Sequence, residues 1–327
     1  MRLRARIVSL AAVAVIAVGV AACAPAAGKD SPRPPARQAA IAPTHPPATP
    51  SSPGPSVSPA IQVTGAPGGV KAKGAVLADA ATGQILWGRD LGTERPMASV
   101  TKVMTALLVL QGGNLGQEIR IPKAAFNYAW KYGGETASLR PGDQLTAQQL
   151  LAALLLPSGA DAAYTLANAY GPGMTAFLAR MNATAARMGM AHTHFTSPDG
   201  LPYPTGTATY STPSDLLTLG LAAMRYPVFR SIVELRFYHL PKGHGHHQYW
   251  WDNTDGLIGS YSGAMGIKTG YTDAARHCLL FEAARNGRTL IGVVLGSPPT
   301  GAAAGAQDAE KMLNWGFRLH PRAPGPG

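Results

Sequence analysis

The stretch Pro96-Met97-Ala98-Ser99-Val100-Thr101-Lys102, continuing into Val103-Met104-Thr105-Ala106-Leu107-Leu108, sets a serine three residues before a lysine at the mouth of an apolar helical run. It is the only S-x-x-K in the 327-residue chain. If Ser99 opens the helix, a three-residue step brings Lys102 up beneath it on the same face. An amine that is to take a hydroxyl's proton must lie in that way. A serine needs such a base to act as a nucleophile at neutral pH. A lysine serves only if burial or nearby positive charge, including a helix N-terminus, lowers its pKa. Taken alone, the pair reads equally well as a capping serine beside a solvated lysine.

Outward from that stretch, the chain divides by composition. Residues 1–23 read as an export signal: Arg2, Arg4 and Arg6 precede the apolar run from Ile7 to Val20. The segment ends Val20-Ala21-Ala22-Cys23, which resembles the lipobox of bacterial lipoproteins and marks Cys23 as a lipidation site. Ordinary signal cleavage and an uncleaved membrane helix are the alternatives. All three put the rest of the chain outside the cytoplasm, at the cell envelope. Residues 24–70 read as a disordered tether. Twelve of the 46 positions from 24 to 69 are proline, too few apolar groups remain to fold, and polyproline II is favoured. At ~3.1 Å per residue its reach is on the order of 140 Å. A folded catalytic domain is expected over 71–320, with a disordered tail over 321–327.

Hydrophobic residues make up 46% of the chain, enough for a sizeable core. The net charge is +11, of which residues 1–70 carry +5. No basic run is interleaved with aromatics, so nucleic acid is excluded as a partner. A mildly basic domain suits an anionic substrate or envelope polymer. The second cysteine, Cys278, lies in an apolar run and reads as a buried small hydrophobe.

Within 71–320 a hairpin is expected from Gly74–Asp79 and Gln84–Trp87, followed by the Ser99 helix ending near Gly112. Residues 114–145 read as loop with short strands, and Thr146 as the cap of a Leu-rich helix stopped by Pro157. Helices follow at 160–170, 173–189 and 213–225, the last with Pro213 in its first turn. Strands are expected at 232–240, 247–252, 263–271, 276–284 and 289–296, and a final helix at 303–318. That order gives an α+β fold with a largely antiparallel sheet and helices on its faces.

Two further pieces carry chemistry. Ser158-Gly159-Ala160 follows the break at Pro157, where a serine on a tight turn can project into a cleft; it can equally cap the next helix. Gly266-Ile267-Lys268-Thr269-Gly270-Tyr271-Thr272 ends an apolar strand that can receive an extended peptide by backbone pairing. There Lys268 and Thr269 can hold a carboxylate, and Gly270 leaves the approach open. Together, S-x-x-K, a serine turn and K-T-G form the motif set of penicillin-binding proteins and class A β-lactamases. The intervening "SLRPGDQLTAQQLLAALLLPSGADAA", "TSPDGL" and "YSTPSDLLTLG" resemble the serine-type D-alanyl-D-alanine carboxypeptidases, the low-molecular-mass penicillin-binding proteins, over residues 74–297.

The resemblance implies a β-lactamase/transpeptidase-like fold, with an antiparallel five-stranded sheet flanked by helices and a helical subdomain. It implies Ser99 as the nucleophile that forms an acyl-enzyme with the penultimate D-alanine, Lys102 as base, and Ser158 as proton relay to the leaving D-alanine. Lys268 and Thr269, with Gly270 and Tyr271, bind substrate; Lys268 also keeps Lys102 neutral. The backbone N–H groups of Ser99 and Tyr271 form the oxyanion hole. No metal or cofactor is expected. The partners expected are peptidoglycan stem peptides, β-lactams and, through the lipid anchor, the membrane, with the protein a monomer.

One departure stands out: Ala160 occupies a position where the family usually has asparagine, so a contact to substrate and to Lys102 is missing. D,D-transpeptidation or a weakly active or non-catalytic penicillin-binding module therefore stay as alternatives. A β-lactamase is less favoured, because the only glutamate between Ser158 and Lys268 is Glu234, in a strand-like run. No second all-β domain is expected after the catalytic one. His239, His244, His246 and His247 invite a zinc reading, but Pro241, Gly243 and Gly245 favour a polar hairpin.

Overall fold

The computed structural model describes residues 65–301 and 303–319. The expected signal, Cys23 and most of the tether lie outside the described residues, as does the tail. Residues 65–70 already belong to the folded part: Val70 is buried, and Gly69 O accepts from Lys311 Nζ at 2.8 Å.

The central sheet contains β1 (Gly74–Asp79), β2 (Ile85–Arg89), β9 (Ala264–Thr272), β10 (Arg276–Arg285) and β11 (Arg288–Ser297). It is antiparallel throughout, in the order β2-β1-β11-β10-β9. Successive side chains alternate between two cores, as the period of two demands. Ala75, Leu77, Leu279, Phe281, Leu290 and Val294 pack on one face with α8 (Ala304–Arg318). Val76, Ala78, Cys278, Leu280, Ile291 and Val293 face the helical block. Sheet strands buried on both faces explain why they read as continuous apolar runs.

The helical block holds α1 (Lys102–Gly112), α2 (Lys123–Tyr132), α3 (Ala147–Leu155), α4 (Ala160–Tyr170), α5 (Met174–Arg187), α6 (Pro213–Ala223) and α7 (Pro227–Val233). Small two-stranded pieces join it: β3 (Arg95–Pro96) with β6 (Tyr210–Ser211), β4 (Glu118–Arg120) with β5 (Gln144–Thr146), and β7 (Phe237–Leu240) with β8 (Tyr249–Asp252). Thr146 caps α3 in a capping box with Gln149, as its position foretold.

Two elements correct the sequence reading. The stretch read as loop contains α2, whose buried stripe consists only of Ala125 and Ala129 while Phe126 and Trp130 face outward. A stripe of alanines carries almost no periodic apolar signal. The strand expected from 232 is instead α7 up to Val233, and β7 begins only at Phe237. Ile232 and Val233 favour strands by propensity, but Pro227 opens a helix and Phe229, Ile232 and Val233 bury together at helical spacing. Glu234 is thus the C-cap of α7, not a strand residue.

Candidate active site

Ser99 sits in a 3-10 turn, Ala98–Thr101, that leads into α1. Residues i and i+3 eclipse in such a turn, so Lys102 comes directly under Ser99. Lys102 Nζ donates to Ser99 Oγ at 2.9 Å and to Asp199 O at 3.1 Å. The solvated-lysine alternative fails: Lys102 is 1% exposed. Ala98, just before the serine, has φ +48°, a conformation costly for a residue with a Cβ. The segment Ser197–Leu201 wraps over this turn. A Cβ on Gly200 would lie 1.9 Å from Ala98 O, so only glycine allows the approach. Thr105 Oγ1 donates to Pro198 O, which ties the segment to α1.

Ser158 lies on the turn between α3 and α4 with φ +66°, and it lines the same cleft as Ser99. Behind it, buried Asp161 accepts from the N–H groups of Ala137, Leu139 and Ala162. Burial raises the Asp161 pKa, against those hydrogen bonds. The pinned segment carries Glu135 into the cleft, and Ala160 N donates to Glu135 O at 2.7 Å.

The opposite wall is β9. Lys268 pairs with Leu280 and Gly270 with Cys278, so both point toward the helical block. A Cβ on Gly270 would lie 2.8 Å from Met97 O and 3.0 Å from Ser99 N, which makes glycine necessary there. Lys268 is 1% exposed and its Nζ donates to Thr269 Oγ1 at 3.3 Å; that hydroxyl is 2.7 Å from Thr254 Oγ1. Tyr271 is half-exposed at the mouth, its ring centroid 4.7 Å from that of His277. Between the walls lies a cleft of about 560 Å³ lined by Ser99, Glu135, Ser158, Thr254, Thr269 and Tyr271, among others.

Burial lowers both lysines. Lys102 falls to about 8, against the charges of Asp199, Asp161 and Glu135. Lys268 falls to about 7 through burial and then the charge of Lys102, against Asp255 and Glu135. The expectation that a helix start and Lys268 would depress Lys102 needs correcting: desolvation is the first cause, and the lysine–lysine repulsion shows on the Lys268 side. Asp255 lies under Lys268, buried, with Oδ2 unpartnered and its pKa pushed up to about 6 by burial.

Thus Ser99, Ser158, Thr269, Gly270 and Tyr271 line one cleft, with Lys102 buried beneath Ser99 and Lys268 buried in β9. The sequence reading missed Glu135, Asp199, Thr254 and Asp255. The Asp-Gly pair at 199–200 signalled a turn, but nothing local tied it to Lys102. Ala160 does not line the cleft. It is fully buried against Ala129 and Leu201. Among the described residues no group of three or more His, Cys, Asp or Glu could hold a metal. His247 instead meets Asp143 at 2.9 Å, and the His-rich run is the β7–β8 turn. Cys278 is a free buried thiol raised to about 12 by desolvation.

Residues 61–299 match the family model described as D-alanyl-D-alanine carboxypeptidase. The chain is 41% identical over 250 residues to a D-alanyl-D-alanine carboxypeptidase of a Streptomyces species, covering 73% of this chain and 84% of the relative. It is 39% identical over 249 residues to a Mycobacterium tuberculosis carboxypeptidase of the same description, covering 76% and 83%. Among solved structures, a Streptomyces DD-transpeptidase superposes with TM-score 0.71 at 39% identity, over 76% of this chain and 98% of that one.

Proposed function

The chain belongs to the D-alanyl-D-alanine carboxypeptidase family, and from that premise we propose how its residues divide the work of a serine-type hydrolase acting on peptidoglycan peptides. The observation that carries the proposal is the buried Lys102 Nζ at 2.9 Å from Ser99 Oγ. Burial makes the neutral amine accessible near neutral pH. The neutral Nζ takes the Ser99 proton as Oγ bonds to the carbonyl carbon of the penultimate D-alanine. The oxyanion that forms faces the N–H groups of Ser99 and Tyr271. Ser158 passes the proton to the leaving nitrogen, the C–N bond breaks, and D-alanine departs. Water then attacks the ester, returns a proton to Ser99 Oγ and frees the shortened peptide.

Lys268 and Thr269 hold the terminal carboxylate, with Thr254 fixing the threonine hydroxyl. An anion docked there favours the charged form of Lys268, and that positive charge in turn favours a neutral Lys102. Electrostatic preorganisation of this sort is the largest contribution in most enzymes.

Intact-protein mass spectrometry after benzylpenicillin tests the assignment. A lasting adduct on Ser99, absent in Ser99→Ala, is expected. Release of D-alanine from a pentapeptide ending in D-Ala-D-Ala should fall by roughly 10⁶-fold in that variant. Rapid penicillin turnover would mean a β-lactamase, and no adduct a non-catalytic module. The structural likeness to a DD-transpeptidase favours a second reading in which an amine takes the acyl group. Product analysis with a glycine acceptor separates it from hydrolysis.

The sequence also supports an extracytoplasmic monomer held at the membrane by a lipid on Cys23, with residues 24–64 as spacer. Cys23→Ala should release the protein from the membrane fraction; if it stays bound, lipidation is not the anchor.

A further inference from the structure

A second, smaller cavity lies where the end of β10, the start of β11 and the α6–α7 turn meet. It has about 210 Å³ and shares no lining residue with the cleft. Its floor includes Glu282, which is 2% exposed and whose Oε1 has no hydrogen-bond partner. Arg225 and Arg230 line it as well, with Leu221, Met224 and Thr289. Arg230 donates to Met224 O at 3.0 Å, and among the described residues neither arginine forms an ion pair with Glu282.

A buried carboxylate oxygen without a partner is costly, so the fold maintains Glu282 here against its own stability. Burial pushes its pKa up to about 7, with Arg230 opposing. Simple ligands fit poorly. A plain cation meets two guanidiniums, and a plain anion meets Glu282. A molecule with an ammonium at one end and a carboxylate at the other satisfies both. The ammonium pairs with the Glu282 carboxylate, and the carboxylate takes the planar arginine donors, which suit it best. The volume has room for several waters. It is below the ~300 Å³ at which drug-sized ligands begin. Leu221 and Met224 offer an apolar wall to a short side chain.

We propose that the Glu282–Arg225–Arg230 cavity is a binding site for a small zwitterionic α-amino acid, separate from the catalytic cleft. The site is independent of the roles given to Ser99 and Lys102. Alanine is the natural probe, because the D-enantiomer is what the family's reaction releases.

Calorimetric titration of the full chain with D-alanine, L-alanine, ethylamine and acetate tests this. Saturable binding of at least one alanine enantiomer is expected, with ethylamine and acetate much weaker. Glu282→Gln should weaken alanine binding by about tenfold or more, the loss of one charge-assisted hydrogen bond. Acylation by benzylpenicillin should be unchanged in that variant. The double variant Arg225→Ala/Arg230→Ala, on exposed positions, should weaken binding as well, and it carries the test should Glu282→Gln fail to fold. No saturable binding of either alanine overturns the proposal. So does equal binding in Glu282→Gln, or ethylamine matching alanine. Binding lost in Lys268→Met but kept in Glu282→Gln would place the amino acid in the catalytic cleft and overturn it too.

Discussion

The two walls of the cleft are built on opposite principles. The helical wall, carrying Ser99, Lys102 and Ser158, is strained and tightly packed: φ is positive at Ala98 and Ser158, and Gly200 lies against the Ala98 carbonyl. The sheet wall carries Lys268 to Tyr271 on the regular part of β9, past the irregularity at Gly266, and among the described residues β9 is paired on one side only, its second edge left to face a peptide. The difference teaches a division of labour. Strain fixes the reacting atoms, and an unstrained edge with backbone to spare receives substrate. The walls come especially close at Gly270, which lies against Met97 O and Ser99 N.

Breaking that contact should have the largest effect. Gly270→Val forces a Cβ into the 2.8 Å and 3.0 Å gaps and displaces Ser99 N from the oxyanion position. Acylation by benzylpenicillin should slow by about 10²–10³-fold, the range for losing one such donor. Unchanged acylation would mean that the walls do not need each other.

Lys268→Met asks whether the sheet wall binds rather than reacts. Loss of a charged partner to the carboxylate should cut kcat/KM by about 10–150-fold, from ~1.5–3 kcal/mol. The fold should not suffer. The Lys268 pKa lies near 7 in the folded protein, below its ordinary 10.5. The unfolded chain therefore binds more protons between those values, and wild-type stability rises with pH across about 7 to 10.5. In Lys268→Met that rise should be shallower and the melting temperature at pH 7 no lower. A lower melting temperature would show that the Asp255–Lys268 attraction outweighs desolvation.

Ala160→Asn sharpens what the helical wall tolerates. Ala160 is buried, and a Cβ on Gly134 would lie only 2.8 Å from its Cβ. The larger side chain should destabilise the fold by about 1–3 kcal/mol through overpacking. A gain of activity without loss of stability in denaturant titration would restore the view that the missing asparagine limits this site.

The smallest effect is expected from Glu135→Gln. Glu135 raises both lysines, so its neutralisation lets them lose protons more easily. The acid-side limb of the pH–acylation profile, where Lys102 must be neutral, should move to lower pH. A shift to higher pH would rule out this role for Glu135.

Much of the site was legible because its key groups are close in sequence or sit in rigid elements. Ser99 and Lys102 are one turn apart, and Lys268, Thr269 and Gly270 are consecutive at the end of an apolar strand. The helices with large apolar stripes, α3 and α6, were legible for the same reason. Glu135, Asp199 and Thr254 were not, since each reaches the cleft from a loop whose path depends on distant contacts. Asp161 holds the Glu135 segment from 22 to 24 residues away, and Lys102 meets Asp199 O across 97. The helix α2 escaped because alanine stripes leave little pattern, and α7 because β-branched residues obeyed packing over propensity.

What the sequence determined by itself was local: a nucleophile and amine one turn apart, a serine on a tight turn, a strand ending in lysine and glycine, and apolar runs that mark the central strands. These follow from backbone periodicity and side-chain chemistry, which need no partner. Tertiary structure alone decided that burial lowers the pKa of Lys102 and Lys268, that Ala160 is buried against Ala129 and Leu201, and that Glu282 is stranded in a second cavity. Desolvation and Coulomb interactions are properties of the assembled surroundings, and no single stretch of chain contains them.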